Sequence, residues 1–276
     1  MATIAHRLRC IASIAGAERL RAFDQLLRTS PSLARPLIEG TDPMAIAEAQ
    51  VHILDALGVE TAAHSWRMAA RMRLLGRRMG LAEDEVVECA LGALCHDVGK
   101  ISVPDAILHA PRILDPRELD LIKMHSSLGH AVLFGLPGLT GAASMVLAHH
   151  EYWDGSGYPN GLRGQSIPLA ARMFTIVDSY DAMVRIDREF RVGVSHRAAC
   201  EEIRALTGKK YDPEIAEVFH QVSEGPWLDI GWAYPDVPLT DADDASDGDA
   251  ADAGGATPGA TIASLGEIAV FTPRAA

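Results

Sequence analysis

The chain has 276 residues, 48% of them hydrophobic, with 25 Lys+Arg against 37 Asp+Glu and a formal charge of −12. That balance argues against a general nucleic-acid binder, which needs a basic surface to displace phosphate counterions, and the apolar content excludes a wholly disordered chain. Aromatics are only 5% while alanine and leucine abound, so an all-α fold is expected; four scattered cysteines (Cys10, Cys89, Cys95, Cys200) form no CxxC pair and suit a reducing, cytoplasmic setting.

Residues 1–45 are expected as a short N-terminal helical extension. Arg7 and Arg9 followed by a mildly apolar stretch superficially resemble a secretion signal, but Glu18-Arg19-Leu20-Arg21 follows at once. Ile4, Leu8, Ile11 and Ala15 share one helical face, so an amphipathic helix is the better reading. Residues 46–225 are expected as the main helical body. Glu60 and His64 stand four apart, which would put both on one face of a helix. The apolar run 90–95 delivers His96 and Asp97 to what should be a buried helix end.

Asp115-Pro116-Arg117-Glu118 reads as an N-cap, a first-turn proline and a capping-box glutamate, with His125 late in the helix that follows. The longest apolar stretch, 128–148, is broken by His130 and by Gly135-Leu136-Pro137-Gly138, so two short buried helices are expected there and no membrane span. His149-His150 closes the second of them. Asp178 falls in the apolar pattern of residues 173–177, where a buried carboxylate is costly unless it is paired or binds a metal. Gly208 stops one helix and Asp212-Pro213 starts the next. Residues 226–276 are expected as an acidic, low-complexity tail, because six aspartates lie among alanine and glycine between 241 and 252.

Five of the eleven histidines thus sit in helices written for burial, accompanied by carboxylates. Imidazole nitrogens with carboxylate oxygens and no thiolates suit iron, manganese, nickel, cobalt or zinc. The donors outnumber what one ion can hold, so a two-metal centre bridged by Asp97 is expected, with water between the ions made acidic.

Two segments resemble a known family. Cys95-His96-Asp97-Val98-Gly99-Lys100 with Ile101-Ser102-Val103-Pro104-Asp105 is similar to the HD signature of HD-domain phosphohydrolases. The stretch His149-His150-Glu151-Tyr152-Trp153-Asp154-Gly155-Ser156-Gly157-Tyr158-Pro159-Asn160-Gly161-Leu162 resembles the second signature of the HD-GYP subfamily, and the likeness runs on to Asp178-Ser179-Tyr180-Asp181-Ala182. The resemblance implies an HD-domain helical bundle with a GYP extension and a phosphodiesterase that opens cyclic di-GMP to pGpG and, in some members, GMP. It implies metal ligands at His64, His96, Asp97, His125, His149, His150 and Asp178, with Glu60 placed for a third ion. Two or three divalent ions, iron or manganese, are the expected cofactors. Asp97 and Lys100 are the expected catalytic pair, and Lys100, Arg188 and Arg191 the expected phosphate contacts. The stretch Asp187-Arg188-Glu189-Phe190-Arg191 departs from the family's Asp-Arg-Pro-Tyr pattern by an apparent insertion and two changed residues. The loop 155–164, bounded by Gly155 and Gly164, is expected as a lip over the site or a surface for GGDEF-domain proteins. The alternatives are hydrolysis of another cyclic dinucleotide such as cyclic GMP-AMP, and a catalytically silent adaptor.

Overall fold

The computed structural model of the chain describes residues 2–185 and 193–236. Thirteen α-helices form among them: α1 Ile4–Ala12, α2 Ala17–Thr29, α3 Pro31–Glu39, α4 Pro43–Ala56, α5 Ala62–Arg78, α6 Glu83–Cys95, α7 Asp105–Leu108, α8 Pro116–Leu133, α9 Thr140–Ala148, α10 Leu169–Val184, α11 His196–Ala205, α12 Pro213–Gln221 and α13 Glu224–Ala233. No strand forms among the described residues; an isolated bridge joins Thr207 and Tyr211.

Helix starts follow local chemistry. Asp115 accepts from the Arg117 and Glu118 amides while the Glu118 carboxylate reaches back to the Asp115 N–H at 3.0 Å, a complete capping box for α8. Asp212 caps α12 ahead of Pro213 by accepting from the Glu214 amide at 2.9 Å. Between α8 and α9 the chain turns through Gly135 and Gly138, both at positive φ, as the apolar stretch interrupted by glycine and proline requires. No described helix is long and apolar enough to cross a membrane.

The core lies where α5 packs on α6 and α10, with α9 closing over α6. Met68, Met72 and Leu75 of α5, Leu94 of α6, and Phe174 and Val177 of α10 are all buried there. Ahead of this core, α1 buries Ile4, Leu8 and Ile11 on one face and ends before Ala15, so three of the four expected residues share the helix. Arg7 donates to the carbonyls of Val132 at 2.9 Å and Phe134 at 2.6 Å, satisfying acceptors that the end of α8 leaves open.

Two expectations need correction. The boundary drawn at residue 225 falls inside α13, whose Trp227 is fully buried against Tyr180 and Phe219. The stretch 224–233 carries Gly225, Pro226 and Gly231 and no helical periodicity of apolar residues, so its pattern did not mark a helix, which an aromatic cluster on other helices secures. Glu60 does not lie on a helix with His64: Thr61, extended at φ −74° and ψ 138°, is the N-cap of α5 and accepts from the His64 amide, so Glu60 sits in the turn before it.

Candidate metal centre

The seven expected donors arrive from five parts of the fold. His64 comes from the first turn of α5, His96 and Asp97 from the end of α6, His125 from the middle of α8, His149 and His150 from the end of α9, and Asp178 from α10. Five of the seven, His64, His96, Asp97, His150 and Asp178, line one cavity of about 200 Å³ together with Glu60, Lys100, Asp181, Ala182 and Arg185, and His125 and His149 pack against them. Donor atoms of His64, His96 and Asp97 lie within 4.8 Å of one another, as do those of His125, His149 and His150. The two groups abut: His125 Nε2 is 3.5 Å from Asp97 Oδ1, and the His96 and His149 rings are 5.7 Å apart between centroids.

The orientation of the rings carries more than their proximity. The Nδ1 atoms of His96, His125 and His149 face the carbonyls of Ala93 at 2.7 Å, Ile122 at 2.6 Å and Val146 at 2.8 Å. A carbonyl only accepts, so each Nδ1 carries the proton and donates. His64 Nδ1 meets the Asp181 carboxylate at 2.9 Å by the same logic. In all four rings Nε2 is thereby left to face the site, the orientation that outer hydrogen bonds impose on metal-binding imidazoles.

The donor set fits cations by its spacing. His125 Nε2 and His149 Nε2 stand 3.1 Å apart. With both Nδ1 atoms donating and both rings neutral, neither Nε2 holds a hydrogen for the other. Two nitrogens each about 2.1 Å from a shared ion would stand roughly 3.0–3.4 Å apart, so this spacing is that of neighbouring ligands. Cys95 precedes His96 in the chain but belongs to neither cluster of donor atoms, and burial pushes its thiol up to about 12, so the gathered set is mixed N/O.

Charge is arranged around Asp97. Its Oδ2 lies 2.8 Å from His96 Nε2 and 2.6 Å from Lys100 Nζ, which also contacts Glu60 Oε2 at 3.3 Å. Burial alone would raise the Asp97 carboxyl, but His96 and Lys100 outweigh it and hold Asp97 well below the usual carboxylate range. Burial alone would lower Lys100, yet Asp97 and Glu60 keep its ammonium charged above its ordinary value. His96 is raised to about 9, because Asp97 outweighs a burial that works in the opposite direction. His150 is lowered to about 3, first by burial and then by the neighbouring His125.

Asp178 is the exception among the expected donors. Its side chain is 33% exposed and its Oδ1 stands 3.9 Å from His64 Nε2, so it lies at the open side of the cavity and not in the apolar interior. The buried acid of α10 is Asp181, one turn on and 2% exposed. Asp181 receives Arg67 Nε at 2.9 Å and Nη2 at 3.1 Å, pairs with Arg71, and orients His64. Arg67 lies three residues after His64 and Arg71 seven, so a helical wheel of α5 puts all three on one side; that spacing was the available signal for this network. Glu151 was likewise missed. Fully buried, it accepts the amides of Asn160 at 2.7 Å and Leu162 at 3.0 Å and pins the glycine-rich loop, whose Tyr158 stacks on His150 at 4.7 Å. Arg188 and Arg191 lie outside the described residues.

A helical shell closed around abutting histidine and carboxylate groups, with no thiolate among them, defines a class of proteins built to hold metal in a mixed N/O centre. The sequence model of the HD domain family matches residues 33–215, and the chain belongs to that family. The chain is 39% identical over 163 residues to a cyclic di-GMP phosphodiesterase of Thermotoga maritima, covering 58% of this chain and 44% of that protein. It is 35% identical over 167 residues to a 3'3'-cGAMP-specific phosphodiesterase of Vibrio cholerae, covering 60% and 32%. It is 35% identical over 159 residues to a cyclic di-GMP phosphodiesterase response regulator of Xanthomonas campestris, covering 57% and 42%. The chain therefore spans less than half the length of these relatives.

Proposed function

We propose that the chain is a metal-dependent phosphodiesterase that opens a cyclic dinucleotide, cyclic di-GMP first, to the linear pGpG and then in part to GMP. The observation that carries this is the set of inward-facing Nε2 atoms gathered beside Asp97 and a half-buried, charged Lys100. Among the described residues four acids and two bases line the cavity, so bound cations would draw a phosphodiester anion into it. His64, His96, Asp97, His125, His149, His150 and Asp178 would hold two ions, with Glu60 available to a third; iron or manganese suits the donors. When bound, the ions supply Lewis acidity, lowering the pKa of water and neutralising the phosphoryl oxygens.

The chain's own residues do the rest. Lys100 presents a positive charge between Asp97 and Glu60, where it can stabilise negative charge on the departing ribose oxygen. Its raised pKa makes it an electrostatic partner and a poor proton donor. Asp97 fixes both Lys100 and His96, and Asp181 fixes His64. Tyr158, held over His150 by the loop that Glu151 pins, shields that side of the site from water. A cavity of about 200 Å³ is smaller than the usual small-molecule pocket of about 300–1,000 Å³, so it takes the reacting phosphodiester and leaves the bases outside. That favours modest discrimination between cyclic di-GMP and cyclic GMP-AMP, in keeping with relatives named for either. No contact of the described residues favours a GGDEF-domain partner for the loop 155–164.

The test is incubation of the protein, loaded with iron or manganese under reducing conditions, with each cyclic dinucleotide separately and in competition. Chromatography should show a linear product from cyclic di-GMP. Binding without any product would contradict the proposal and favour the silent adaptor.

A further inference from the structure

The cavity's second base, Arg185, follows directly on α10, one turn beyond Asp181, to whose carbonyl its amide donates at 2.9 Å. Its side chain is 34% exposed, at the mouth of the cavity that holds Lys100 deeper in. An arginine at such a place is ordinarily a loosely tethered surface charge. Here it is aimed. Arg185 Nε lies 2.9 Å from Asp236 Oδ2. The other oxygen of Asp236 accepts from Arg67 Nη1 at 3.0 Å, Arg67 Nη2 at 3.1 Å and Thr61 Oγ1 at 3.2 Å. Arg67 is itself buried and locked on Asp181, and it also donates to the Tyr234 carbonyl at 2.7 Å. The segment after α13 thus returns to α5 as a fixed acidic post, with one carboxylate oxygen anchored and the other holding the guanidinium.

We infer that Arg185 is an anchor for the anionic phosphodiester at the cavity mouth and that Asp236 is the residue that positions it. Asp236 lies beyond residues 33–215, the span matched by the family model. A guanidinium held at its Nε edge by a fixed acid keeps a planar, permanently charged group turned towards the cavity, where a phosphate can accept from it. Lys100 meets the phosphodiester from the floor and Arg185 from the rim. The inference rests on the phosphodiesterase reading for the identity of the anion, and on the geometry alone for the anchor.

The test uses the full chain loaded with manganese, with inorganic phosphate as a calorimetric probe and cyclic di-GMP as substrate. Arg185→Ala should weaken phosphate binding about tenfold, the loss expected for one charge-assisted contact, and raise KM for cyclic di-GMP by a similar factor. Its kcat should stay near wild type, and elemental analysis should find its metal content unchanged. Arg185→Lys, which keeps the charge and loses the fork, should fall between the two. Asp236→Ala should weaken phosphate binding about threefold in the wild-type background and leave it unaltered in the Arg185→Ala background. Wild-type phosphate affinity in Arg185→Ala, or loss of metal from that variant, would overturn the anchor. An equal effect of Asp236→Ala in both backgrounds would overturn the positioning role. Phosphate binding through Arg185 in a protein that leaves cyclic di-GMP intact would sink the phosphodiesterase reading and support the anchor. Turnover by Arg185→Ala with unchanged KM and unchanged phosphate affinity would do the reverse.

Discussion

At the scale of single residues, Asp181 bears the heaviest electrostatic duty outside the donors themselves. Burial alone would raise its carboxyl, but the His64 hydrogen bond and the Arg71 and Arg67 cations outweigh it and hold Asp181 ionised. Asp181→Asn would leave buried cations facing a neutral amide, with one acceptor oxygen where His64, Arg67 and Arg71 now share two. Breaking a buried pair in this way costs about 3–5 kcal/mol, readable by urea unfolding; a change below about 1 kcal/mol would show that the network is not coupled to stability. The imidazoles give a second prediction, for protein stripped of metal by a chelator. Burial is the largest cause lowering His125, His149 and His150, and His150 reaches about 3. The folded chain keeps these rings neutral while the unfolded chain takes up protons below about 6.5, so stability falls as pH drops from there towards 3. His96 runs the other way: raised to about 9, its contribution is full below about 6.5 and is lost as pH rises through 9. Tm of the stripped protein should peak near neutrality and drop several degrees by pH 5. A Tm at pH 5 equal to or above that at pH 7 would contradict the neutral assignment.

Among the elements, the short 3-10 turn Val98–Ser102 matters most, because it carries Lys100 and holds Asp97 against α8. It packs closely on α8 because Gly99 and Gly129 face each other; a Cβ on Gly99 would collide with the His125 carbonyl. Gly99→Ala should therefore destabilise the fold by about 1–3 kcal/mol and lower metal content together, since the same displacement separates His125 from Asp97. Wild-type metal content with wild-type stability would show that the close approach is dispensable. Elements with local signals were legible in the sequence: the Asp115 capping box, the Asp212-Pro213 start, the glycine turn between α8 and α9, and the apolar run that ends at His96. Elements secured from a distance were not. Helix α13 depends on Trp227 finding Tyr180 and Phe219, and the start of α5 depends on Thr61 adopting an extended cap that excludes Glu60 from the helix.

Over the whole molecule, the seven expected donors span residues 64–178 and are brought together only by the packing of α5, α6, α8, α9 and α10. Their residue types were legible because histidines and acids stand out in helices otherwise written for burial. Their partners were less so: Asp178 and Asp181 are three residues apart on one helix, and which of them is buried is decided by Arg67 and Arg71 on another. The N-terminal helices stand outside the site but hold its scaffold, through Arg7 at the end of α8 and through Arg19, buried and paired with Asp105 just beyond the 3-10 turn. The proposed activity of the whole molecule depends on those donors acting together as one metal centre. The most direct measurement is elemental analysis of protein purified without oxygen, beside an Asp97→Ala variant shown by circular dichroism to be folded. Two or three equivalents of iron or manganese in the wild type, falling by at least one in the variant, is the predicted result; a folded wild type that retains no metal, or a variant that retains all of it, would contradict the account.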